Sequence, residues 1–321
     1  MSSRLFRSAL LVCIGVLIGQ YNSTTQINCS ENTDVSSSNK SVHQIRRSNT
    51  LSEEEAPILL DIPKSTKEVV INVGTSIDPI LPAPEMGPCA KCIAVEPIVG
   101  HNIQQHKQLS VVHAAVSEKA GVVSMNVYNN GAESSSLAKP SASQYWNANT
   151  GRGDGRTIIV PVITLTSLIS AVPNSTQISL LKTDMQGFDF VAIREAGSIL
   201  KKRVRHIMTE VWMNDHYTYH ANNDLCRDFL PFMTQLGYDI ANVKESSRSV
   251  TYKQSPEQIR AHCEKQLRDT PVRPGVIESA GLDERDAYWV RKDSIGMNFP
   301  DCPNIKKLTK TFTAEEYATC G

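Results

Sequence analysis

The sequence predicts an α/β fold built on a mainly parallel sheet whose two faces are covered. Strand-like apolar runs alternate along the chain with segments of helical spacing, which is typical of parallel strands joined by helical crossovers. The change from a strand pattern to a helical pattern is clearest in residues 178–200. There a buried-strand pattern is followed by a turn with Asp184 and Gly187 and then by helical spacing. Open α/β sheets bind ligands at such polar turns, at the carboxyl ends of strands.

The N-terminal 66 residues are predicted to precede the folded domain. Arg4 and Arg7 come before an apolar run whose length is typical of a signal-peptide core and falls short of the ~20 residues that span a bilayer. We therefore expect residues 1–21 to be a signal peptide or a short signal-anchor, with residues 8–21 as the segment that would anchor the chain in a membrane. Residues 22–66, rich in Ser, Thr and Asn, are expected to form a flexible, glycosylated stem.

These features favour the secretory pathway, either the lumen of the Golgi or endoplasmic reticulum or the cell exterior. A mitochondrial presequence is the alternative, because no acidic residue precedes Glu31. Sequons support the secretory assignment and occur at Asn22, Asn28, Asn39 and Asn174.

The eight cysteines fit the same compartment. Cys89 and Cys92 have the spacing of a redox pair or half a zinc site, and a local or partnered disulfide is the favoured interpretation. Cys302 and Cys320 are placed to close the C-terminal tail, residues 293–321, into a loop.

Residues 67–292 are predicted to form the folded domain. A dense run of prolines from Pro79 to Pro88 excludes a long helix after the first strand. Helical patterns cover 166–171, 188–200, 223–236 and 255–267. Strand patterns cover 68–73, 92–96, 109–116, 121–128, 157–165, 178–184, 206–212, 238–243 and 287–292.

Three predicted strand ends carry the residues of a nucleoside site. The first ends in Asn72-Val73-Gly74, where the glycine lets the backbone approach a ligand closely. The second ends in Glu96, 22 positions after Gly74, near the ~20-residue spacing at which an acidic residue accepts ribose hydroxyls. A full G-x-G-x-x-G is missing, which disfavours the pyrophosphate of a dinucleotide.

The ordered motifs resemble those of the FkbM-type methyltransferases over about residues 67–292. In chain order they are Val69-Val-Ile-Asn-Val-Gly74, Val95-Glu96-Pro97, Ala114-Ala115-Val116 with Gly121, Ser134-Ser-Ser-Leu137, Val160-Pro-Val-Ile-Thr-Leu165, Leu181-Lys-Thr-Asp-Met-Gln-Gly187 with Asp189, and Glu210-Val211.

The resemblance implies a Rossmann-like seven-stranded sheet, mostly parallel with one antiparallel strand, with helices on both faces. It also implies S-adenosyl-L-methionine as cofactor and methyl transfer to a hydroxyl of a glycan or small metabolite. The catalytic residues expected are Asp184 and Glu210. The cofactor-binding residues expected are Asn72, Val73, Gly74, Glu96, Pro97, Ala115 and Asp184.

Departures from the family pattern keep other functions open. Asn72 replaces a usual Asp, and Asp78-Pro79 replaces a Gly and the start of a helix, so a catalytically inactive binding module of the same fold is the alternative. A nicotinamide-dependent oxidoreductase is a weaker third possibility.

Two classes of partner are not expected. Lysines and arginines equal aspartates and glutamates, 33 against 33, so nucleic acid is not an expected partner. The pair His216 and His220 lacks acidic companions, and no metal site is predicted.

Overall fold

The computed structural model of the protein describes residues 58–127, 135–138, 156–213, 221–245, 254–271, 284–307 and 312–320. All of them belong to one compact unit, Glu53–Gly321. The predicted signal segment, residues 22–57 of the stem, His216 and His220 lie outside the described residues. The last nine residues of the predicted stem, 58–66, are described, and Ile58, Leu60 and Ile62 pack against the main core of the domain. Within these described ranges, no helix has the length and apolar character needed to cross a bilayer.

A seven-stranded sheet forms the centre. Its strands are β1 (Glu68–Val73), β2 (Lys91–Val95), β3 (Leu109–Val112), β7 (Gln177–Thr183), β8 (Val204–Trp212), β9 (Tyr238–Glu245) and β10 (Glu284–Arg291). They lie in the order β3-β2-β1-β7-β8-β10-β9. Four neighbouring pairs are parallel, and β10 runs antiparallel to both β8 and β9. The predicted α/β class and seven-stranded sheet are thereby confirmed.

A second, three-stranded sheet was not predicted. It contains β4 (Ala115–Ser117), β6 (Arg156–Thr164) and β5 (Gly121–Val127), in that order. The sequence predicted one strand over 109–116, but a turn closed by the Ala114 N–H on the Val112 carbonyl (3.2 Å) ends β3. The chain beyond the turn pairs with β6 instead of β2.

Four helices pack on the main sheet and agree with the predicted positions: α1 (Leu165–Ala171), α2 (Asp189–Arg203), α3 (Leu230–Leu236) and α4 (Pro256–Asp269). The predicted helix 223–236 begins as a π-helix, Leu225–Phe229, that leads into α3. A capping box at Ser255 starts α4, because the Ser255 hydroxyl and the Gln258 side chain each satisfy a free backbone N–H. A short α5 (Ala314–Ala318) follows in the tail.

The prediction of helices on both faces is wrong for the part of the chain that the structure describes. Helices α1–α4 share one apolar core with Val69 and Ile71 of β1, which point to a single face of the sheet. Pro79, Pro82 and Pro84 lie where a helix would cover the other face, and only a short 3₁₀ helix, Pro84–Met86, forms there.

Irregular chain covers that second face. Ile80 packs with Val70 and Leu180 on the sheet, and Phe299 and Cys302 of the tail pack against the same cluster. Ile305 joins a neighbouring cluster with residues of β2. The C-terminal tail therefore takes the place of the missing helix.

The disulfides differ from those expected. Cys89 pairs with Cys320 across the domain, which confirms a partnered bridge for Cys89, and Cys226 pairs with Cys263. The predicted loop between Cys302 and Cys320 is wrong. Cys92 is instead a free thiol, fully buried beside the tail, and Cys302 is also free.

Candidate active site

A cavity of ≈ 360 Å³ opens at the carboxyl ends of β1, β2 and β7. Its size falls in the range of small-molecule sites, about 300–1,000 Å³. Six of the seven predicted cofactor residues line it: Val73, Gly74, Glu96, Pro97, Ala115 and Asp184.

Gly74 brings the ends of β1 and β7 into direct backbone contact. Its φ is +71°, and a Cβ at this position would overlap the carbonyl oxygen of Asp184. The Gly74 N–H donates to the Val95 carbonyl at 2.9 Å, which ties the same turn to β2. Three strand ends therefore meet around Gly74 at the cavity, and only a residue without a Cβ permits this approach.

Glu96 joins the first two loops of the site. Its carboxylate accepts the Ser76 N–H at 2.8 Å and the Ile98 N–H at 3.0 Å. Burial raises the pKa of Glu96, while the backbone N–H groups of Ile98 and Ser76 and two nearby histidines act against the shift. A carboxylate has about four acceptor positions, so both oxygens can also accept hydroxyls of a ligand.

Asp184 belongs to a group of charged side chains on the sheet that also includes Lys182, Glu210 and Asp286. Lys182 lies 3.6 Å from the Asp184 carboxylate. Burial acts to lower the pKa of Lys182, and the carboxylates of Asp184, Asp286 and Glu210 outweigh it, so that the pKa is raised. Lys182 also lines the cavity.

Glu210 does not line the cavity itself but contacts Gln186, which does. The Gln186 amide donates to Asp184 at 3.1 Å and to Glu210 at 3.3 Å, so it bridges the two predicted catalytic carboxylates. Burial raises the pKa of Glu210 well above its usual range, and the charge of Asp184 adds to the shift. The ionised form of Glu210 is therefore a stronger base than the carboxylate of an exposed glutamate.

The Methyltransferase FkbM domain matches residues 68–240, the segment that carries these strand ends. The chain belongs to the FkbM methyltransferase family. A search of curated proteins and a search of solved structures each found no match. Family membership indicates a methyltransferase, and β10 and the tail lie beyond the matched FkbM domain.

Within the FkbM domain, Asn72 does not line the cavity. Its side chain is buried, and its Oδ1 accepts the Ile80 N–H at 3.0 Å. Asn72 therefore fixes the proline-rich segment that replaces the usual helix, and a direct contact with cofactor stays a prediction.

The turn after β7 is tight and contains two consecutive residues with positive φ. Gln186 and Gly187 both have positive φ, 52° and 93°. Asp189 begins α2, and its carboxylate accepts the Met185 N–H at 3.2 Å. Burial, together with the charge of Asp184, raises the pKa of Asp189 to about 7.

The free energy of unfolding is expected to fall as the pH rises from about 4 to about 7. Over that interval the folded protein keeps a proton on Asp189, whose pKa is raised from 3.8 to about 7, while the unfolded chain has lost it. The stability that protonated Asp189 contributes at acidic pH is therefore lost as the pH rises through the pKa of Asp189 in the folded protein. Urea denaturation at several pH values across this range gives the free energy of unfolding as a function of pH. This free energy should fall less steeply with pH for Asp189→Asn than for an exposed control, Asp301→Asn. Equal slopes would contradict the assignment.

The side chains of the cavity wall that sequence reasoning missed include Asp78, Asn304 and Lys306. Asp78 was noted only as a departure from the family pattern. The other two belong to the tail, and no local motif connects them to the FkbM domain. Asp286 was also missed; it is opposite Glu210 in the β8–β10 pairing, and burial raises its pKa to about 6.

No group of His, Cys, Asp and Glu side chains among the residues described has the arrangement needed to hold a metal ion.

Proposed function

We propose that this protein is an S-adenosyl-L-methionine-dependent O-methyltransferase that transfers a methyl group to a hydroxyl of a glycan or small metabolite. The observation that carries the proposal is the cavity above Gly74, with Glu96 on one side and Asp184 on the other. Family membership supports the same reaction class.

The residues present fit this cofactor. Gly74 allows the ends of β1 and β7 to meet at the cavity, and Glu96 retains acceptor capacity for the two ribose hydroxyls. The small apolar residues Ala114 and Ala115 line the cavity beyond Pro97 and suit the face of an adenine ring.

The protein's own groups supply binding, orientation and proton transfer. When bound, the cofactor would supply a methyl group on a positively charged sulfur, which would be the leaving group for an acceptor oxygen. Asp184 presents a carboxylate to the cavity and favours positive charge there. Glu210, linked to Asp184 through Gln186, is the group proposed to take up the proton that the acceptor hydroxyl loses.

The two disulfides support a lumenal or secreted location for this activity, because such bonds persist in oxidising compartments. A hydroxyl of a glycan is an acceptor that such a compartment offers.

Replacement of Glu96 is expected to weaken S-adenosylmethionine binding by about 1–3 kcal/mol, because ribose hydroxyls would lose their acceptor. Isothermal calorimetry of Glu96→Ala measures the loss, and Glu85→Ala, an exposed site in the same crossover, is the control. Glu96→Gln separates this effect from the loss of the acceptors for Ser76 and Ile98, since its amide oxygen retains one. An unchanged affinity would show that Glu96 does not contact the ribose.

Turnover separates the enzyme from the inactive binding module. The protein, incubated with labelled S-adenosylmethionine and a panel of glycans and extracts, should transfer label, and Asp184→Ala should not. Binding without transfer to any acceptor would favour the binding module. Reducing cofactor retained on the purified protein, detected by absorbance, would favour an oxidoreductase.

A further inference from the structure

The C-terminal tail forms part of the cavity wall. The Ile305 N–H donates to the Pro79 carbonyl at 2.9 Å, so the tail pairs with the segment that follows Gly74. Asp78 is held by two further bonds, its carbonyl accepting from the Asn304 amide at 3.0 Å and its carboxylate from the Lys306 N–H at 3.2 Å. Asn304 and Lys306 are thereby fixed at the edge of the cavity.

The cavity has two lysines in its wall, and they differ in how they are paired. Lys182 is 3.6 Å from Asp184 and is surrounded by further carboxylates. The ammonium of Lys306 makes no ion pair among the residues described; only its backbone N–H is bonded, to Asp78. Lys306 is therefore the cation of this wall that is free to pair with a ligand.

The proposed cofactor needs such a cation. Its amino-acid part ends in a carboxylate, and the cavity wall carries three protein carboxylates, those of Asp78, Glu96 and Asp184, which would repel it. In the loop after Gly74, Asp78 and Pro79 stand in place of a glycine and the start of a helix. The tail pairs with this loop at Pro79. An ammonium is the charge-assisted donor that offsets this repulsion.

We propose that Lys306 binds the carboxylate of the methionine part of the cofactor, so that the tail, which lies outside the matched FkbM domain, completes the cofactor site. This inference rests on the proposed function. It assigns to the tail a binding role in addition to its packing on the sheet.

Calorimetry with two probes tests the inference. S-adenosylmethionine has the carboxylate, and decarboxylated S-adenosylmethionine retains the ammonium and sulfonium without it. We expect Lys306→Gln to bind S-adenosylmethionine about tenfold more weakly than the unaltered protein, and to bind the decarboxylated probe with unchanged affinity. Lys307→Gln, in the same short helix but outside the cavity wall, should behave like the unaltered protein with both probes.

The outcomes separate this inference from the proposed function. If the unaltered protein binds S-adenosylmethionine and Lys306→Gln binds it equally well, Lys306 is not the carboxylate partner. If Lys306→Gln weakens both probes alike, the tail has only a structural role, and the inference again fails while the proposed function stands. If the unaltered protein binds neither probe, the proposed function fails and the inference with it.

Discussion

Gly74→Ala is expected to abolish cofactor binding and to lower the free energy of unfolding by about 3 kcal/mol. Gly74 has a φ of +71°, and a left-handed conformation costs a residue with a Cβ about 1–2 kcal/mol. The added methyl group would also overlap the Asp184 carbonyl, and relief of such a contact by backbone shifts typically costs about 1–3 kcal/mol. Because Asp184 follows β7 directly, the shift would displace a predicted catalytic carboxylate.

Gly87→Ala is a matched control for this prediction. Gly87 has a φ of +81°, and a Cβ there would have no heavy atom within 4 Å. Alanine at this position should carry only the cost of a positive φ, without an added backbone contact, and leave cofactor binding intact. Urea denaturation gives the stability of both variants, and calorimetry gives their affinity for S-adenosylmethionine. Similar losses in the two variants would mean that the contact between Gly74 and Asp184 does not shape the site.

The strands and helices around the site were predictable because their signals are local. The apolar run of β1 stops at Gly74 as predicted, and the helical spacing after Gly187 becomes α2. Glu96 was found by its distance from Gly74 along the chain, and the parallel pairing of β1 with β2 brings the two ends together. In each case the pattern and its structural consequence lie within a few tens of residues.

The covering of the second face was not predictable from such signals. The prolines after Asp78 exclude a helix, but they do not indicate what fills its place. The answer lies 226 positions away, where Asn304 bonds to the Asp78 carbonyl. Asn72 shows the same limit at short range, because its type suggested a ligand contact while its side chain is used to hold Ile80.

Only part of the group of charged side chains around Lys182 could be predicted from the sequence. Asp184 and Glu210 were predicted because each lies near the carboxyl end of a strand in the motifs. Asp286 escaped notice because β10 runs antiparallel, so its first residues, and not its last, reach the edge where the cavity lies. The direction of a strand depends on the whole topology, which apolar periodicity does not encode.

Removal of the Cys89–Cys320 disulfide is expected to have the second large effect, on stability and on cofactor binding together. The bond closes a segment of 231 residues, and the chain-entropy relation gives about 5 kcal/mol for a loop of that length. It also holds the end of the tail, whose residues Asn304 and Lys306 stand in the cavity wall. In Cys89→Ser/Cys320→Ser we therefore expect weaker binding of S-adenosylmethionine in the molecules that remain folded.

Cys226→Ser/Cys263→Ser separates these two effects. That disulfide spans 37 residues, which corresponds to about 4 kcal/mol, and it joins the π-helix to α4, neither of which lines the cavity. Urea denaturation should show a loss of similar size in both double variants, while calorimetry at a temperature where each is folded should show weaker binding only in the first. Because the two variants lose comparable stability, a loss of affinity confined to Cys89→Ser/Cys320→Ser can come only from the freed tail. Equal affinities would mean that the contacts with Asp78 hold the tail without the disulfide.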